Sequence, residues 1–178
     1  MKITKEKLVE MRACKEAIEF FERHYNEIAD VELLKDVLQY QEEVKEEGED
    51  IYNWCYWLIV RLLQHKERVR FAVHAAEMVL NIFEEEYPED KRPRQAIEAA
   101  KAWLENPCEE TQQAAAAWAD AAYAWAAANA ADAYAAYAAD AADAYAADAA
   151  DAAAYAAYAC PDIKDKILEY GIELLKAK

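Results

Sequence analysis

Apolar residues recur at spacings of three and four along the first hundred positions, the mark of amphipathic helices. Met11, Cys14, Ile18, Phe21, Tyr25 and Ile28 follow this rule, predicting a first helix from about Thr4 to Asn26. Asp30 is a candidate N-cap for a second helix, with Glu32 in its first turn and Gly48 at its end. Leu34, Val37, Leu38, Gln41 and Val44 would form its inner face. Asp50 can cap a third helix, IYNWCYWLIVRLL, which is apolar nearly all round. Such a helix should be central, with Trp54, Trp57, Leu58 and Leu62 as core anchors.

The charged run HKERVR interrupts the apolar density near His65, and a fourth helix, RVRFAVHAAEMVLNIFEEE from Arg68, follows. Phe71, Ala75, Met78, Val79, Ile82 and Phe83 would line one side of it. Pro93 fits the first turn of a fifth helix. Asn106, Pro107 and Glu109 read as N-cap, N1 and N3 of the next. A last helix places Ile163, Ile167, Leu168, Ile172 and Leu175 inward. Gly171 costs that helix about 1 kcal/mol relative to Ala, so a close approach there would explain it.

Between Ala114 and Ala159 the pattern changes to Ala, Tyr and Asp, with no Gly, Pro, Lys or Arg. Ala is the best helix former, so the segment reads as helical. One unbroken helix over this span would be about 70 Å long. A compact chain of this length is roughly 40 Å across, so breaks are expected. We place one at Asn129–Asp132, and a second near Asp140–Asp143 is equally compatible with the sequence. An eleven-residue echo puts Trp118, Asn129, Asp140 and Asp151 in one phase. Ala and Tyr would then pack, and Asp would face water or a partner. The eleven-residue period is also seen in alanine-rich antifreeze helices, but those repeat Thr on a flat Ala face, and here Asp and Tyr hold the repeat positions.

The expected architecture is all-α: a single-domain multi-helix bundle with close-packed alanine-rich C-terminal helices. It divides into large-residue core helices (1–106), alanine-rich helices (107–160) and a closing helix (161–178). Only two Gly and four Pro occur in 178 residues, which supports this class.

Charge and chemistry narrow the function. The net charge of −16 disfavours nucleic acid and anionic membrane as partners and favours a basic protein surface. Cys14, Cys55, Cys108 and Cys160 form no CxxC pair. With His24, His65 and His74 they complete no zinc pattern, so buried free thiols in a reducing cytoplasm are expected, with no metal and no cofactor. The start, MKITKEKLVE, lacks an apolar signal core, and the apolar run from Trp54 to Val60 is too short to cross a bilayer. No hydrolytic or phosphate-binding motif occurs, and the chain has no Ser, so an enzyme is not expected.

Two surfaces remain as candidates. Trp54, Trp57, Arg61, Arg92 and Arg94 could form an anion or ligand pocket. Arg92 and Arg94 stand at a helix start, where the macrodipole prefers anions, so they either pair with nearby carboxylates or bind a ligand. Asp132, Asp140, Asp143, Asp148 and Asp151 could form an acidic partner-binding face, with no neighbouring cation to neutralise it.

The segments NWCYWLIVRLL, AVHAAEMVLNIFEEEYPEDKRPRQAIEAAKAWLENP, the Ala/Tyr/Asp tract and KILEYGIELL resemble the all-α, alanine-rich "putative immunity protein" family of polymorphic-toxin loci and phages. The stretch from Asp90 to Trp103 is the most specific part of this resemblance. The resemblance implies neutralisation of a toxin or defence effector by binding, and it implies no catalytic residues. Two alternatives accompany it: a phage sponge that sequesters a nucleotide-type immune signal, and an acidic DNA mimic. Homo-oligomerisation stays open.

Overall fold

A computed structural model describes residues 2–25, 28–46, 50–115 and 160–177. The described chain is all-α apart from one small sheet of two short strands. The anticipated breaks at Asn129–Asp132 and Asp140–Asp143 lie outside the described residues.

The first helix differs from expectation. Thr4 is extended and ends a strand, β1 (Lys2–Thr4), before its hydroxyl accepts the Lys7 N–H at 3.3 Å and caps α1 (Lys5–Glu10). Helix α1 then stops. Arg12 takes a left-handed φ of 61°, its N–H donates to the Val9 carbonyl, and the Ala13 N–H reaches back to Leu8. This is a Schellman end with arginine where glycine is usual. A new helix, α2 (Lys15–Tyr25), follows; Cys14, between the two helices, is exposed, while Phe20 and Phe21 are buried.

The second predicted helix is also replaced. Asp30 does not open a long α-helix; it ends β2 (Ile28–Asp30), antiparallel to β1, with Lys2 opposite Asp30, Ile3 opposite Ala29 and Thr4 opposite Ile28. Pairing keeps the backbone extended through Asp30. Two tight 3-10 turns, Val31–Leu34 and Asp36–Tyr40, then lead into α3 (Gln41–Glu46). Val31, Leu34 and Val44 are buried by this route, whereas Gln41 faces water. Gly48 lies outside the described residues.

From Asp50 the expectations hold more closely. Asp50 accepts the Tyr52 N–H at 2.9 Å and caps α4 (Ile51–Leu62). Helix α5 (His65–Glu86) begins with the charged run, ahead of the expected start at Arg68. Helix α6 (Arg92–Glu105) carries Pro93 in its first turn. Asn106 closes α6, donating its N–H to Ala102, and does not cap the next helix. That helix begins at 109, where the Thr111 hydroxyl accepts the Cys108 N–H at 3.2 Å. The closing helix α7 (Lys164–Lys176) buries Ile167, Leu168, Ile172 and Leu175, with Ile163 buried just before it.

Helix α7 packs against both α4 and α5, and α5 packs against α6. The fully buried Tyr56, Ile59 and Phe71 stand where α4, α5 and α7 meet. Gly171 makes this approach feasible. A Cβ there would lie 2.8 Å from Phe71 Cε2 and 2.9 Å from two Ile59 carbons. Polar contacts fix the start of α7. The Tyr52 hydroxyl donates to Asp165 at 2.7 Å, the Tyr56 hydroxyl donates to the Lys164 carbonyl at 3.0 Å, and Lys164 pairs with Asp50 at 3.1 Å.

Two core expectations are corrected. Trp54, Trp57 and Leu58 are only half-buried, because the deepest face of α4 is the one carrying Tyr56, Ile59 and Val60. Ile82 is 48 % exposed, and Met78 and Phe83 are half-buried, because the sides of α5 that α6 and α7 cover leave Ile82 to water.

Candidate functional site

Arg92 and Arg94 sit where α6 begins. Asp90, which precedes the N-cap residue Lys91, accepts the Arg92 backbone N–H at 3.0 Å. The same carboxylate takes the Arg92 guanidinium in a two-pronged contact at 2.9 and 2.5 Å. Fork geometry of this kind is the strongest form of ion pair. The Arg92 hydrogen bond holds the Asp90 carboxyl below its ordinary range. Arg94 reaches back to α5 and grips Glu84 in the same way, at 2.7 and 2.5 Å. That contact likewise holds Glu84 low. The two arginines thus clamp the α5–α6 turn from both sides.

Arg61 is engaged differently. Its guanidinium lies over the Trp57 ring, 5.2 Å from the centroid, one helical turn earlier on α4. Trp54 faces α2 instead and meets Phe20 edge-on at 5.7 Å, within a cluster that includes His24 and Tyr40. The structure therefore brings Trp57 and Arg61 together, sets Trp54 against the N-terminal segment, and engages Arg92 and Arg94 with carboxylates beside them. The acidic candidates Asp132, Asp140, Asp143, Asp148 and Asp151 lie outside the described residues.

One residue of the run HKERVR has a role that the sequence pattern hides. Arg68 donates from Nε to the Val60 and Leu63 carbonyls at 2.8 and 3.0 Å. It thereby satisfies carbonyls that the end of α4 leaves without helical partners. Burial and the nearby Arg61 charge both lower its pKa. The signal available in the sequence was local charge, since positions 61–70 hold three Arg and one Lys against one Glu.

Among the described residues no group of His, Cys, Asp and Glu is placed to hold a metal ion. Cys55 is fully buried, and that burial pushes its thiol up to about 12, far from a reactive thiolate. Cys14 is exposed, and Cys108 and Cys160 are half-buried, so of the four thiols only Cys55 matches the expectation of burial. Among the described residues no helix is long and apolar enough to cross a membrane.

This is a helical protein whose candidate arginines are ion-paired or stacked on an aromatic ring. The chain belongs to the family described as "Imm-5 like putative immunity protein", whose model matches residues 59–169. The match runs from the last turn of α4 through α5, α6 and the alanine-rich segment into α7, and leaves the first 58 residues outside. No curated protein and no solved structure matches the chain.

Proposed function

We propose that the chain is a non-enzymatic inhibitor that neutralises a bacterial toxin or defence effector by binding it. The observation that carries this reading is membership of an immunity-protein family over residues 59–169. The net charge of −16 adds a direction: it favours a partner with a basic surface and speeds encounter with it. The face we assign to that partner is the acidic stripe of Asp132, Asp140, Asp143, Asp148 and Asp151, in a stretch without Lys or Arg.

The test is co-expression with a toxin encoded beside a gene for this chain. We expect rescue of growth and a stoichiometric complex. Lysine at Asp140, Asp143, Asp148 and Asp151 together should abolish rescue at physiological salt. Undiminished toxicity with the wild-type chain rejects the proposal. If the target is a DNA-binding enzyme and duplex DNA competes with the chain, the acidic stripe acts as a DNA mimic. The nucleotide-sponge alternative is less favoured, because a phosphate would have to displace Asp90 from Arg92 and Glu84 from Arg94. Calorimetry with cyclic and ADP-ribose-type nucleotides tests it directly.

A further inference from the structure

We propose that the corner between α4 and α5, formed by Trp57, Arg61, Lys66 and Arg68, is a second docking surface that receives a carboxylate-bearing loop of the protein partner. It rests on the binding reading above but uses different residues and the opposite sign of charge.

The corner departs from the rest of the surface. The chain carries 36 acidic against 20 basic residues, yet positions 61–70 have a local excess of three positive charges. Helix α4 has no Asp or Glu anywhere between Ile51 and Leu62, so its exposed positions Asn53 and Arg61 present no carboxylate. Several cations elsewhere are matched, among them Arg23 with Glu43, Arg92 with Asp90, Arg94 with Glu84, Lys35 with Glu169 and Lys164 with Asp50. Among the described residues no carboxylate lies within ion-pair distance of Arg61, Lys66 or Arg68. Arg70 and Glu67, at 4.0 Å, form the one ion pair of the run.

The geometry suits recognition. Stacking on Trp57 holds the Arg61 guanidinium in place and costs none of its planar fork of donors, so little side-chain freedom is lost when a carboxylate arrives. Arg68 is tied to the Val60 and Leu63 carbonyls and contributes charge from a fixed position. Trp and Arg are the residues most enriched where binding energy concentrates.

The chemistry favours a protein loop over a polyphosphate. Charge beyond about 8 Å is screened at physiological salt, so a short loop senses mainly the local positive excess. A nucleic acid or an anionic membrane would extend past the corner onto acidic faces of the chain. A second copy of the chain would set this positive excess against itself.

Titration of the full-length chain with the toxin that it neutralises in co-expression, catalytically inactivated, tests the assignment. We expect Arg61→Ala and Trp57→Ala each to weaken binding about 10- to 100-fold, and Arg61→Lys to lie between, with thermal melts confirming the fold. Arg61→Glu should abolish binding, and reversal of one partner carboxylate should restore it. Binding within about twofold of wild type for both alanine variants, alongside loss on reversing the aspartate stripe, overturns this surface and leaves the binding reading intact. No binding by the wild-type chain overturns both. An Arg61-dependent affinity for duplex DNA or anionic vesicles, or an Arg61-dependent dimer, with toxin binding unchanged, assigns the corner to another occupant and overturns the proposal.

Discussion

Between Lys2 and Glu46 the chain changes element repeatedly, and α1 and α3 are six residues each, whereas α5 alone runs for 22. Both regions are rich in good helix formers, so propensity does not separate them. Coverage does. Helix α5 has α6 and α7 packed against it, and α4 has α7 and the second 3-10 turn, Asp36–Tyr40, beside it. The N-terminal segment has less to lie against. It folds back on itself, sending Ile3, Leu8, Phe20 and Phe21 into the core from short elements. Its charged side chains meet at the surface, as in Lys15–Glu19 and Arg23–Glu43, contacts that each contribute little. Helix length here follows the burial available to each face.

If stability is concentrated where α4, α5 and α7 meet, the largest response should come from Gly171. An added methyl would stand inside contact distance of Phe71 and Ile59, both fully buried and hemmed in. Overpacking of this kind costs about 1–3 kcal/mol. Alanine regains about 1 kcal/mol of helix propensity. We expect Gly171→Ala to lower the urea midpoint without changing the slope, and Gly171→Val to lower it further. An unchanged or raised midpoint would mean that α7 is not held as tightly as the contact implies.

The opposite sign is expected from Arg12. Its left-handed backbone disfavours any side chain with a Cβ, by about 1 kcal/mol. Both Schellman hydrogen bonds, Arg12 to Val9 and Ala13 to Leu8, come from the backbone and survive substitution. Arg12→Gly should therefore stabilise the protein by up to about 1 kcal/mol, less the entropy glycine adds to the unfolded chain. Destabilisation would show that the arginine side chain makes a contact worth more than the strain.

Arg12 also shows why the N-terminal region was misread. A helix stop without Gly or Pro leaves no local signal, and continuous three-four spacing from Met11 to Tyr25 looks like one helix. Asp30 is a good N-cap, but strand pairing with Lys2 is a long-range choice that no window around Asp30 contains. Asp50, Pro93 and the inward face of α7 were legible because local chemistry and tertiary packing agree there. Gly171 was legible as a question, and the buried Phe71 and Ile59 supply its answer. Of the site, the clamp of Arg92 and Arg94 was foreseeable from carboxylates two and ten residues away in sequence. The capture of α4 carbonyls by Arg68 was hidden, since charge alone does not say which way a side chain turns.

The smallest effect should come from a contact at the edge of that junction. His74 on α5 stacks on Tyr170 of α7, with centroids 4.0 Å apart and planes at 22°. Burial lowers the His74 pKa from its ordinary 6.5, opposed by Glu77 and Glu173. The folded protein therefore holds this proton less tightly than the unfolded chain does. In the window between the two pKa values the unfolded state binds more protons, so stability falls as pH falls. The contribution is complete above about pH 7 and is lost progressively as the pH drops through 6.5 towards the lowered value. His74→Phe keeps an aromatic stack and removes the titration. Its melting temperature should decline less than wild type between about pH 7.5 and pH 5.5, and the two curves should converge in shape at higher pH. Half-exposure of the ring keeps the difference small. Parallel curves across that range would place the α5–α7 junction on the same footing as the N-terminal surface, where charge contacts contribute little to stability.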